Sequence, residues 1–314
     1  MIVLNSDIGF IQVENWEDIE TRPGFTNNLN PKEHSLSAII GSYAFSEMIR
    51  CGLSNCHTPH NKGYIAVTKE GRETNIGKVC GKNYFGVDFE IMSRKFDEDL
   101  QEKRDRDNLW SFSFKLDGFK ERIRNLRTQP HGADWAYKQL RPLKEGSRDI
   151  SDIARIINKM IKNGNSKLTK AREATDAEVD VLEGTAGRRF ERPYVIEEEI
   201  ANISGLEALY QENDLKNLLV FELEERIKAF ESSNIDILTR TQLRTFAKWA
   251  GSTDAIFDRA VESLRSAKKF LTKQNIAPFK MVVSETSAEG LFMYLDGLPA
   301  STVTSVLEES IQEN

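Results

Sequence analysis

The stretch CGLSNCHTPHNKGYIAVTKEGRETNIGKVC, from Cys51 to Cys80, holds all three cysteines of the chain and two of its four histidines. Thiols and imidazoles are the soft ligands of divalent metals, so gathering them in thirty of 314 residues points to a bound ion. Cys51 and Cys56 lie five positions apart around Gly52, which lets one tight turn present both sulfurs to the same centre. Beyond them, Tyr64, Ile65, Ala66 and Val67 read as a strand, Glu70-Gly71 as a turn and Thr74 to Ile76 as the returning strand. The hairpin then delivers Cys80 to the beginning of an amphipathic helix.

A closed structural zinc site takes four ligands, and the cysteines supply three. The fourth is expected from His60, which follows Cys56 by four residues beyond Pro59 and folds back more readily than His57. The ligand set read from the sequence is therefore Cys51, Cys56, His60 and Cys80 around Zn2+, with His57 as the alternative to His60. Such a set leaves no open position for substrate, which argues for a structural ion. The competing reading is three reduced cysteines packed as small hydrophobes. The order of turn, hairpin and ligand near a helix start resembles the treble-clef class of zinc-binding modules. That resemblance covers Cys51 to the start of the following helix, and departs from the pattern in offering only Cys80 from its second half. The segments HTPHNKGYIAV and TNIGKVCGKNYFG are similar to those of uncharacterised bacterial and prophage proteins with an N-terminal cysteine module and a helical remainder. This similarity implies an organisation, and a setting in phage–host interaction, without an activity.

Outside the cysteine segment the chain reads as mostly helical. Before it, Ile2 to Leu4 and Phe10 to Val13 alternate with turn-formers, and residues 35–49 place Leu36, Ile39, Ile40 and Tyr43 at helical spacing, predicting a short helix into Cys51. After it, Phe89, Met92, Phe96 and Leu100 step by three and four. Leu109, Phe112, Leu116, Phe119, Ile123 and Leu126 then form a short heptad seam, read as packing on the chain's own helices. Ile150 to Ile161 predict a helix ended by Asn163-Gly164. Leu206 to Phe230 predict another, and Ser252 begins a third running through Leu271. Met281 to Val283 and Leu291 to Leu295 read as short strands or a last helix. The expected fold class is α+β: a small N-terminal zinc-binding β-hairpin module with a predominantly α-helical, partly coiled-coil-like remainder. Its divisions are 1–88 for the zinc-binding module, 89–162 for the long-helix region, 163–205 for a linker or irregular insertion, and 206–314 for a C-terminal helical domain.

Composition narrows the function classes. Charged residues make up 29% of the chain and aromatics 9%, too aromatic for a disordered chain and too polar for a membrane-embedded one. No leader or spanning segment is evident and the cysteine count is odd, so a reduced, cytoplasmic protein is expected. The net charge of -6 conceals a basic segment: Lys62, Lys69, Arg72, Lys78 and Lys82 gather around the cysteines, and Arg188, Arg189 and Arg192 form a second basic run. These could meet nucleic-acid phosphates, or be a solvated face that offsets thiolate charge. No GxxxxGK[ST], GxGxxG, HExxH or GxSxG motif occurs. The function expected is a zinc-stabilised, non-enzymatic binding protein that docks a protein partner or a second copy of itself. The alternative is a nucleic-acid-binding protein using the basic zinc module. An enzyme of bacterial immunity or its evasion has only the prophage resemblance behind it.

Overall fold

Two apolar pieces at the N-terminus pair as a hairpin, β1 (Ile2–Ser6) with β2 (Gly9–Val13), in the computed structural model, which describes residues 1–147 and 149–301. A short helix α1 (Glu17–Glu20) follows. Three further strands, β3 (Leu36–Arg50), β4 (Pro59–Thr68) and β5 (Glu73–Gly77), complete a five-stranded sheet of order β2-β1-β3-β4-β5 in which every neighbouring pair is antiparallel.

β3 replaces the helix that its spacing predicts. The three-residue step from Leu36 to Ile39 comes from an irregularity in the ladder, where Leu36 faces Thr68 but Ala38 already faces Val67. A second irregularity between Ile39 and Gly41 places Ile39 in the core cluster of one face and Tyr43 in that of the other. The bulge thus imitates a helical face in the linear text.

Both faces of this sheet are covered, which explains its nearly continuous apolar runs. Val3, Tyr64 and Ala66 join Phe89, Phe96 and Leu100 in one core cluster, whereas Ile2, Leu4 and Ile65 join Ile19 and Tyr43 in another. The first cluster rests on α2 (Lys78–Ser113), whose regular course is interrupted at Gly86 by φ 58° and ψ -135°. Burying each of Phe89 and Ile76, at 1% and 0% exposed, contributes roughly 1.5–3 kcal/mol.

The chain divides into two units that do not follow the divisions drawn from sequence: Met1–Ser111 with Ile235–Ala247, and Phe112–Asn234 with the chain from Lys248 onward. The second unit contains α3 (Leu116–Thr128), α4 (Ala133–Glu145) and α5 (Ser151–Asn163). The heptad seam is not continuous, because α2 stops at Ser113 and α3 starts at Leu116. Within this unit Phe112 meets Phe119 and Trp249, each at 5.2 Å between ring centroids, and Phe119 stacks on Phe257 at 5.6 Å. Intrachain aromatic packing consumes the seam.

Residues 163–205 are also structured where a linker or irregular insertion is expected. They form β6 (Lys167–Glu173), α6 (Asp176–Ala186) and β7 (Val195–Asn202), with β6 and β7 antiparallel. Ion pairs hold this pair of strands, Lys167 with Glu199 at 2.8 Å and Arg172 with Glu198 at 3.0 Å, so no apolar alternation announces it. Single turns of 3-10 helix at Leu206–Leu209 and Gln211–Asn213 break the helix expected from Leu206. Regular winding resumes as a π-helical stretch, Asn217–Glu224, leading into α7 (Glu225–Glu231). The helix expected to begin at Ser252 is the second part of α8 (Arg240–Phe270); α9 (Lys273–Ile276) and α10 (Glu285–Asp296) follow it. Among the described residues no helix is long and apolar enough to cross a membrane.

Candidate metal centre

The loop joining β3 to β4 is shaped by backbone bonds within it and by one to β5. Cys51 N–H donates to Thr58 O at 3.1 Å, Gly52 N–H to Asn75 O at 2.8 Å, and Cys56 N–H to Leu53 O at 3.1 Å. The buried Asn75 side chain adds a bond from Nδ2 to Arg50 O at 2.7 Å. A Cβ at position 52 would lie 2.2 Å from Thr74 Oγ1, so only glycine lets the loop press this closely on β5. His57 takes the left-handed region at φ 52°, reversing the chain directly after Cys56.

Cys80 arrives on the first turn of α2. A Cβ on the neighbouring Gly81 would sit 2.3 Å from the ring of Phe89, so the helix start and its own later turn are in direct contact.

These elements bring Cys51, Cys56 and Cys80 together. Their sulfurs all lie within 4.8 Å of one another, Cys56 and Cys80 at 3.2 Å, and all three are reduced. Tetrahedral zinc with Zn–S bonds of about 2.3 Å sets sulfurs about 3.8 Å apart, so small shifts seat an ion among the three. Cys51 is buried, and the other two are half-buried against the cluster formed by Leu53, Ile76 and Phe89.

The thiols differ in how readily they ionise. Burial first, and then the proximity of Cys56, raises Cys51 above the usual thiol range. Burial, the hydrogen bond to Cys56 and the charges of its two neighbours push Cys80 up to about 12. Cys56 is lowered, because its burial is outweighed by hydrogen bonds from Thr58 and by those from Cys80 and Cys51. A divalent ion held by the three sulfurs would find Cys56 the most readily ionised of them, and its charge would favour the thiolate form of the other two.

His60 stands outside this trio. Its Nδ1–H donates to Thr58 O at 3.0 Å, which leaves Nε2 to accept from the Tyr43 hydroxyl at 2.6 Å. Asn75 Nδ2 approaches the same hydroxyl at 3.5 Å, extending a polar network under the hairpin. His57 donates from Nδ1 to Cys51 O at 3.2 Å, so its Nε2 carries the lone pair. Sequence spacing revealed the cysteines but not Tyr43 or Asn75, because nothing in a linear pattern marks a hydroxyl and an amide that meet only when β3, β4 and β5 pair.

The basic residues do not form one patch. Lys69 and Arg72 flank the β4–β5 turn, whereas Lys62 and Lys78 lie at the other end, where Gly63 pairs with Gly77. About 13 Å of strand separates the two ends. Lys82 is paired with Glu90 at 2.8 Å. In the second basic run, Arg192 is paired with Asp176 and Asp180, and Arg188 lies over the Phe190 ring at 5.1 Å.

No family model matches the chain, and neither a curated protein nor a solved structure is significantly similar to it, so function rests on the geometry above.

Proposed function

We propose that the N-terminal unit is a zinc-stabilised, non-enzymatic binding module in which the ion ties residues 51–56 to the foot of α2. The observation that carries this reading is the convergence of three reduced sulfurs from a loop and a helix start. Cys51, Cys56 and Cys80 would supply three ligands; the sulfur cluster includes neither His57 nor His60, so a fourth ligand from either ring requires that ring to move toward it. His57 has the nitrogen with a lone pair to give, whereas His60 would have to release Tyr43. A cross-link spanning 24 to 29 residues stabilises chiefly by restricting the unfolded chain and by the binding energy of the ion itself.

Docking of a protein partner or a second copy is supported by an exposed apolar pair on α2. Val87 and Ile91, four residues apart on one helical face, are 68% and 57% exposed. A phage–host setting belongs to this proposal only through the resemblance of residues 57–67 and 74–86 to prophage proteins. Elemental analysis of the purified chain, paired with sedimentation at micromolar concentration, tests it. One zinc per chain and a self-associated or partner-bound species is the expected result. A metal-free chain that stays monomeric and retains no partner overturns it.

A further inference from the structure

We infer that a cleft along α2, separate from the thiol cluster, binds phosphate groups. It has a volume of about 350 Å³, and its walls include Lys78, Lys82 and Arg94 on α2 and Arg244 on α8, all within the N-terminal unit. Three carboxylates share the cleft, but each has a partner. Glu90 pairs with Lys82 at 2.8 Å, Asp97 accepts from the Tyr64 hydroxyl at 2.7 Å, and Glu98 pairs with Arg240 at 2.9 Å. Among the described residues, Lys78, Arg94 and Arg244 have no carboxylate at ion-pair distance, although all three are exposed in the same concavity. The field of Lys78 and Arg94 is felt there: the Glu90 carboxyl is held below its usual range first by the hydrogen bond from Lys82 and then by the charges of Lys82, Arg94 and Lys78.

The chemistry of these groups selects the ligand. Two guanidinium forks match phosphate oxygens in bidentate fashion, and the ammonium groups of Lys78 and Lys82 add point charge beside them. The one aromatic ring in the walls, Phe89, is 1% exposed and offers no platform for a base. Recognition is therefore of phosphate itself, carried either by a free di- or triphosphate or by a nucleic-acid backbone. The inference does not depend on the metal, since none of the four cations is a ligand.

The test uses the full chain as purified and two probes: inorganic pyrophosphate followed by calorimetry, and a short fluorescein-labelled single-stranded DNA followed by anisotropy at about 50 and about 200 mM salt. Saturable binding of at least one probe is expected, about tenfold weaker in the double variant Arg94→Ala with Arg244→Ala. Lys69→Ala with Arg72→Ala, at the far end of the hairpin, should bind as the parent does. Binding of pyrophosphate identifies a free phosphate ligand, and binding of DNA alone, weakened by salt, identifies a backbone. If the alanine variant unfolds, Arg94→Lys with Arg244→Lys replaces it, keeping charge while removing both forks. Failure of both probes, undiminished binding in the cleft variant, or an equal loss in the hairpin variant overturns the inference.

Discussion

The Tyr43 hydroxyl donates to His60 Nε2 at 2.6 Å, and this bond occupies the imidazole nitrogen that a metal would otherwise take. Burial raises the Tyr43 phenol well above its ordinary range, so it remains a donor at any physiological pH. With Thr58 O occupying the other ring nitrogen, His60 acts as a strut between β3 and β4.

Replacing Tyr43 by Phe should cost roughly 1–2 kcal/mol of stability and leave the metal content unchanged. His60→Ala should behave likewise, losing thermal stability while retaining zinc. His57→Ala should instead weaken zinc retention against a competing chelator, because it removes the fourth ligand. Zinc lost on removing His60 and kept on removing His57 would reverse the assignment.

Each of Cys51→Ser, Cys56→Ser and Cys80→Ser should abolish stoichiometric zinc and lower the melting temperature of the N-terminal unit. The reason is that apparent binding energies of structural zinc, on the order of 10 kcal/mol, are folding energy for the segment they close. Cobalt substitution followed by visible absorption checks the thiolate count directly.

Gly81→Ala forces a methyl against the Phe89 ring, at a point where an ideal Cβ lies 2.3 Å from that side chain. The start of α2 must then shift, and Cys80 with it. A destabilisation of roughly 1–3 kcal/mol is expected, together with weaker zinc binding; denaturant unfolding and metal competition measure the two effects separately.

In the second unit the pH dependence has a definite sign. Glu178 is lowered to about 2, first by its bond from Arg172 and then by the Thr175 backbone and hydroxyl. A carboxyl depressed by folding contributes stability that is present above its unfolded pKa of about 4.3 and disappears as pH falls toward the folded value. Glu178→Gln should therefore be less stable than the parent at neutral pH, and the gap should close between about pH 4.5 and pH 2. Thermal melts across that range decide it.

Removing the ring at Phe257, fully buried and stacked on Phe119, should cost roughly 3–5 kcal/mol. Arg122 lies over the same ring at 4.4 Å and loses its contact as well. Chemical denaturation of Phe257→Ala provides the measurement.

The linear text determined what depends on neighbours in sequence. The β4–β5 hairpin follows from an apolar run, a Glu-Gly turn and a return strand. The end of α5 follows from Gly164, which takes the left-handed conformation at φ 58°. The three thiols are likewise visible as types and spacings. Only the tertiary structure decided that Leu36 to Arg50 is a strand, because a bulge shifts its period until β4 pairs with it. Ion pairs between β6 and β7 become readable only when the strands lie side by side. The partner of His60 and the cations beside α2 were settled the same way, since Tyr43 and Arg244 lie 17 and more than 140 residues from the groups they join. Local propensity and spacing act along the chain, whereas register, burial and charge pairing exist only between segments that folding has brought into contact.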